Sequence, residues 1–202
     1  MPDWFPDWSG QRAVIVASGP SAVDQPVDLA RDRCKVVAIN NSWRLAPWAD
    51  VLYASDAAWW AANDHGGFAG IKVSRSDVQE VRRVRLRGKP GDYHNDMVFD
   101  DPGTIGAGGS SGFQALNLAI QFGARDIALV GFDARVDLGV HWHGRHERTG
   151  NPTESTAAMW AHHLDRQVTA LAAHGVRVVN CSPVSALTAY PKMELEDWLG
   201  SA

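Results

Sequence analysis

Five short runs of β-branched and apolar residues punctuate this chain, and each closes on a small or polar residue: RAVIVA (12–17), KVVAIN (35–40), DVLYAS (50–55), DIALVGFD (126–133) and VRVVNCS (176–182). Runs that are apolar throughout, rather than alternating with polar residues, describe strands covered on both faces, the condition of a parallel sheet. Between the last two runs the period changes. Residues 154–174 carry Trp160, Leu164, Val168 and Leu171 at spacings of four, four and three, which predicts one helix closed by Gly175 as a left-handed cap. Residues 111–122 place Phe113, Leu116 and Ile120 on one side, with Gly123 following. Strands separated by helices predict an α/β fold: a mostly parallel sheet with helices on both faces, three layers in all.

The middle, residues 63–103, lacks this regularity and is expected to be an irregular insertion or lid. Within it VRRVRLRGK (81–89) alternates Val84 and Leu86 with arginines at the period of a strand. An antiparallel edge strand with a solvated face is the expectation, and a basic edge facing phosphate is the alternative. The tail KMELEDWLG (192–200) forms an amphipathic turn or two that docks Leu195 and Trp198.

A length of 202 residues, 45% of them hydrophobic, suits one domain with a sizeable core. The formal charge of −4 gives no whole-molecule attraction for nucleic acid or acidic lipid. Cys34 and Cys181 have no C-x-x-C spacing, so neither a disulfide framework nor a thiolate metal site is expected, and a reducing cytoplasm fits. The opening MPDWFPDWSG has acids and prolines where a signal peptide needs a basic start and an apolar run, and no stretch is long and apolar enough for a membrane span. Nine tryptophans are unusual. Those in loops, such as Trp59, Trp60, Trp43, Trp48 and Trp142, serve either to cover a ligand ring or sugar or to rim the core and a homo-oligomer contact.

In an open parallel sheet ligands bind beyond the carboxyl ends of the strands. Those ends here are Ser18-Gly19-Pro20-Ser21, Asn40-Asn41-Ser42, Ser55-Asp56, Gly131-Phe132-Asp133 and Asn180-Cys181-Ser182-Pro183. All are small or polar and none is cationic, a set able to wrap a ribose, a base and phosphate oxygens. The stretch GAGGSSGFQALNLAI (106–120) adds a glycine-serine loop opening a helix, where free N–H groups and the helix dipole attract an anion. Neither G-x-G-x-x-G nor a Walker G-K-[ST] occurs.

HWHGRHERTGN (141–151) gathers His141, His143 and His146 with Arg145, Glu147 and Arg148. Three histidines in six positions can ligate zinc, or one can act as general base beside an arginine on a phosphate. Glycine, charges and Asn-Pro mark a loop, so a catalytic or phosphate-contacting role is expected in preference to a metal site built wholly from it. Gly108, Ser110 and Gly112 also match G-x-S-x-G, and Ser110, Asp133 and a histidine follow the α/β-hydrolase order. A nucleophile elbow must follow directly on a buried strand, and FDDPGTIGAG (99–108) contains no apolar run, so Ser110 is expected to hold a ligand rather than attack one.

The succession VIVASGPSA, VVAIN, GGSSGFQALNLAIQFGARDIALVGFD, the histidine-glycine-histidine loop and VRVVNCSPVSAL resembles the bacterial CMP-sialic-acid-dependent sialyltransferases. It is also similar to a wider group that includes the 6-hydroxymethylpterin diphosphokinase-like proteins and many phage and bacterial sequences. The resemblance covers about two-thirds of the chain and is most specific from Ser110 to Asp133. It implies a Rossmann-like sheet in which Gly19, Pro20 and Ser21 with Ser110, Ser111 and Gly112 hold a nucleotide's phosphate and ribose. By the same resemblance Asn40 meets the base or sugar, Gly131, Phe132 and Asp133 line the pocket, and the histidine loop supplies a general base. Arg135 stands where those enzymes have a phosphate-contacting tyrosine, and Arg145 stands where their base is expected, which puts the base at His146.

The expected function is therefore a nucleotide-dependent transferase. A nucleotide or nucleotide-sugar donor, CMP-type first, serves an unidentified acceptor, with Arg135 and Arg145 on phosphate and no protein metal ligands. The alternatives are a pyrophosphokinase using Mg²⁺ on Asp133, and a nucleotide-binding module without catalysis.

Overall fold

The computed structural model describes residues 1–65, 67–147 and 150–201. The chain forms strands β1 (Arg12–Val16), β2 (Lys35–Ile39), β3 (Val51–Tyr53), β4 (Ile71–Ser74), β5 (Arg82–Arg83), β6 (Arg85–Leu86), β7 (Gly88–Lys89), β8 (Asp92–Tyr93), β9 (Thr104–Ile105), β10 (Asp126–Val130) and β11 (Arg177–Asn180). Its α-helices are α1 (Ala57–Ala62), α2 (Ser111–Gln121), α3 (Glu154–Asp165), α4 (Val168–Ala173) and α5 (Leu195–Gly200). Seven strands make one sheet in the order β11-β10-β1-β2-β3-β4-β5, every neighbouring pair parallel. This is a Rossmann-like α/β fold.

The unbroken apolar runs do what their composition requires. Ile15, Val37, Tyr53 and Leu129 face one core, shared with Phe113, Leu116 and Ile120 of α2, Leu164 of α3 and Leu171 of α4. Val14, Val36, Leu52 and Val130 face the other, shared with Trp59 and Trp60 of α1 and Leu195, Trp198 and Leu199 of α5. At roughly 25 cal/mol per Å² of apolar surface, two such faces supply most of the drive that holds the layers together. The tail docks as its pattern predicts, with Leu195 and Trp198 fully buried.

The long predicted helix is two helices. α3 ends at Asp165 and α4 begins at Val168, because Gln167 turns inward: its Oε1 accepts from Met97 N at 3.1 Å and its Nε2 donates to His163 O at 3.1 Å. The break shifts the phase, so Leu164 and Leu171 are buried while Val168 lies 38% exposed. Gly175 sits at φ +67°, the left-handed stop expected of it.

The middle segment is more ordered than its sequence suggests. β4 joins the central sheet, and the arginine-rich stretch is not an antiparallel edge strand: Arg82–Arg83 pairs parallel with β4, then the chain leaves and Arg85–Leu86 pairs parallel with Thr104–Ile105. Val84 between them is fully buried, so one inward side chain divides the run into two short pieces. The hairpin of β7 and β8 follows.

Strand order reverses at β1: β2 lies on one side and β10 on the other. The loops leaving β1 and β10 therefore diverge to opposite faces and open a crevice between them, the usual ligand position in such sheets.

Candidate functional site

The crevice is a cavity of about 960 Å³ along the carboxyl edge of the sheet. That volume is near the upper end of ordinary small-molecule pockets, ~300–1,000 Å³. Its floor is the pair of loops at the reversal point. Gly19 N donates to Gly131 O at 2.9 Å, and a Cβ on Gly19 would stand 2.4 Å from that oxygen and 2.6 Å from Asp133 Cγ. Gly131 has φ +69°, and its own Cβ would meet Ala17 O at 2.6 Å. Only glycine fits at either position, so the two loops pack backbone on backbone and leave room above.

Asp133 holds this floor. It is 1% exposed; Oδ2 accepts from Ser21 N at 2.8 Å and Oδ1 accepts from the Ser21 hydroxyl. Both carboxylate oxygens thus face the first turn after β1. Ala134 follows with φ +51°, a left-handed conformation that costs a non-glycine residue about 1–2 kcal/mol. Asn40 at the end of β2 is also left-handed, φ +50°, and lines the cavity with its side chain type that tolerates this backbone best.

Across the crevice α2 points its N-terminus at the cavity. Ser110 caps it, its Oγ accepting from Phe113 N at 3.2 Å, while Ser111 and Gly112 occupy the first helical positions, where N–H groups have no intrahelical acceptor. Gly112 lies against the Phe132 ring, where an added Cβ would come within 2.9 Å. Ser110 is committed as a cap and is separated from the short buried strand β9 by residues 106–109, whereas a nucleophile elbow follows directly on its strand.

The histidine loop forms a side wall and is tied to the strand ends through Trp142. Its backbone N donates to Ser18 O at 3.1 Å and its indole Nε1 to Ser42 Oγ at 3.2 Å. Asn151 clasps His146 from both sides: Oδ1 accepts from His146 N at 2.8 Å and Nδ2 donates to His146 O at 2.9 Å. Burial, and then the neighbouring imidazoles, push His141 down to about 4. Burial, His146 and then Arg44 do the same to His143, also about 4, and burial alone lowers His146. Each shift favours the neutral form of its ring.

Of the residues singled out from sequence, Gly19, Asn40, Ser110, Ser111, Gly112, Gly131, Phe132, Asp133, Arg135, His141 and His146 line this one cavity. Among the described residues, Pro20, Ser21, His143, Arg145 and the β11 end Asn180-Cys181-Ser182-Pro183 do not: Ser21 is bonded to Asp133, His143 stacks on His141, and Arg145 is exposed. Arg148 lies outside the described residues. Arg135 reaches the wall with its guanidinium engaged by Asp137, Nε donating to Oδ1 at 2.6 Å, and that bond raises its pKa further.

Sequence reasoning missed a cation. Arg75 lines the cavity just past β4, its Nε donating to Ser55 Oγ at 2.8 Å and its Nη2 to Asp56 Oδ1 at 2.6 Å. The signal was present: IKVSR is another short run ending in a small polar residue, interrupted by Lys72 and hidden in the irregular middle. Trp59, Trp160 and Tyr93 complete the aromatic lining. Of the loop tryptophans, Trp142 buttresses the histidines and Trp48 donates to Asp28 Oδ1.

The chain matches no family model, no curated protein and no solved structure. The chemistry of the cavity is therefore read from its own groups. Among the described residues, no helix is long and apolar enough to cross a membrane.

Proposed function

We propose that the chain is a nucleotide-dependent transferase, with glycosyl transfer from a nucleotide-activated donor as the leading reaction. One observation carries this: four of the five small polar strand ends, the open N-terminus of α2 and two imidazoles border a single cavity at the point where the strand order reverses. Free N–H groups at Ser111 and Gly112 suit phosphate oxygens, and Arg75, held by Asp56 and Ser55, brings a guanidinium to the same cavity. Asn40, with an amide that both donates and accepts, suits a sugar or base. His146, at the cavity wall and shifted by burial toward its neutral form, suits removal of a proton from an acceptor hydroxyl. A donor of CMP type follows the sequence resemblance.

The pyrophosphokinase alternative is less well supported. It uses Asp133 as an Mg²⁺ ligand, yet both Asp133 oxygens accept hydrogen bonds from Ser21. Calorimetry against cytidine, uridine, adenosine and guanosine phosphates, with and without Mg²⁺, tests the proposal. Metal-independent binding of a nucleoside phosphate is expected. Binding that requires Mg²⁺ would favour the pyrophosphokinase, and no binding by any member would reject a nucleotide site. Once a substrate pair is found, His146→Ala should abolish turnover and spare binding; turnover without binding loss would remove His146 from the mechanism.

A further inference from the structure

His141, His143 and His146 face one another although they come from one loop. Their ring centroids are 5.1, 4.6 and 4.9 Å apart, and one ring nitrogen of each lies within 4.8 Å of the other two. Three points so spaced lie no more than about 2.8 Å from a common centre, against ~2.0–2.1 Å for a Zn–N bond. Each donor would close by about 0.7 Å or less, within the reach of small side-chain rotations.

We propose that these three imidazoles bind a late first-row divalent cation, Zn²⁺ above all, with a fourth coordination position open to the cavity. A second observation points the same way: His143 Nε2 is buried and has no hydrogen-bond partner. The donor set selects the metal, since imidazole suits Zn²⁺, Co²⁺, Ni²⁺ and Cu²⁺ while Mg²⁺ prefers oxygen.

The cradle is braced from behind. Trp142, between two of the ligands, is pinned to Ser18 and Ser42, and Asn151 fixes the backbone of the third. Asn41 turns its Nδ2 toward His143 Nδ1 at 3.4 Å, while its Oδ1 accepts from Trp59 Nε1 at 3.0 Å. A contact of 3.4 Å lies outside the usual hydrogen-bond range, so it does not lock the ring with its proton on Nε2. Three protein ligands and one open position are the arrangement of catalytic rather than structural zinc. A metal held by these three residues would supply a bound hydroxide able to accept a proton, a role that would pass to it from His146 once that ring's lone pair is occupied. The site itself does not depend on the nucleotide reading.

The test uses the full chain, stripped with chelator and free of any affinity tag, titrated with Co²⁺ and followed by visible ligand-field absorption, then displaced with Zn²⁺. No nucleotide is present, so failure of nucleotide binding leaves the result intact. One equivalent with the intense bands of tetrahedral Co²⁺ is expected. His141→Ala or His146→Gln should weaken binding at least tenfold, and the double variant His162→Ala/His163→Ala, in the other adjacent pair, should not. Because removing a ring can disturb the loop, Asn41→Asp is the complementary variant: a carboxylate accepts the Nδ1 proton of His143, orients Nε2 to the metal, and should tighten binding about tenfold. Absence of a Co²⁺ signal, binding that survives His146→Gln but not loss of the 162/163 pair, or a folded Asn41→Asp protein with unchanged or weaker affinity would each overturn the proposal.

Discussion

Replacing Asp133 by alanine should cost the fold dearly, because its carboxylate is the latch of the cavity floor. Ser21 is 7% exposed and gives Asp133 two hydrogen bonds, from its N–H at 2.8 Å and from its hydroxyl. Hydrogen bonds to a charged group contribute about 1.5–3 kcal/mol each, and a buried donor left unpaired costs about 1–3 kcal/mol. Asp133→Ala loses both bonds and strands both donors, so about 3–5 kcal/mol is expected, a large part of the ~5–15 kcal/mol that holds a typical domain. Ser21→Ala loses only the hydroxyl bond, about 1.5–3 kcal/mol. In the Asp133→Ala background the Ser21 change should then cost almost nothing, giving a coupling energy of about 1.5–3 kcal/mol. Urea unfolding followed by tryptophan fluorescence at neutral pH measures all four corners of the cycle. An Asp133→Ala protein within about 1 kcal/mol of wild type, or strictly additive effects, would refute the latch and return Asp133 to the role of a free ligand.

Ala134→Gly should raise stability by about 1 kcal/mol in the same assay, since it relieves a left-handed alanine at φ +51°; a loss of stability would contradict the strain. Arg75→Gln should weaken binding of any nucleoside phosphate the chain takes about tenfold by calorimetry, the scale of one charge-assisted hydrogen bond, while leaving unbound stability nearly unchanged; equal affinity would place phosphate elsewhere. Burial lifts the Cys34 thiol to about 11 and the Cys181 thiol to about 12. At pH 8 the thiolate fraction of Cys34 is then about one in a thousand, and reactivity should climb only as pH approaches 11. Iodoacetamide at pH 8 should label the folded chain at least tenfold more slowly than the urea-unfolded chain, and equal rates would contradict that environment.

The sheet was legible because strands buried on both faces have little compositional freedom: β1, β2, β3, β10 and β11 each coincide with an apolar run. β4 escaped because Lys72 interrupts its run at the rim, and the parallel pairing of Arg85–Leu86 with Thr104–Ile105 is a long-range contact with no local signature. The helix break at residues 166–167 was hidden for a related reason, as it depends on Gln167 finding partners at Met97 and Asn95 far along the chain. At the site, glycine and serine turns announced the floor, since close backbone approach demands them. Nothing local tells that Ser21 faces Asp133 instead of a ligand, or that the hairpin segment brings Leu86 and Tyr93 to the cavity. Convergence of three imidazoles is likewise a property of the folded loop, with Trp142 as its anchor.

The most direct measurement is a set of amide spectra of the ¹⁵N-labelled chain, recorded as cytidine, uridine, adenosine and guanosine phosphates are added in turn. If the reversal point of the sheet is a nucleotide site, at least one member should shift the amides of Gly19, Gly112 and Gly131 together, saturably, and leave those at the opposite edge of the sheet still. Silence at all three glycines with every nucleotide, or shifts confined to surfaces away from the cavity, would contradict it.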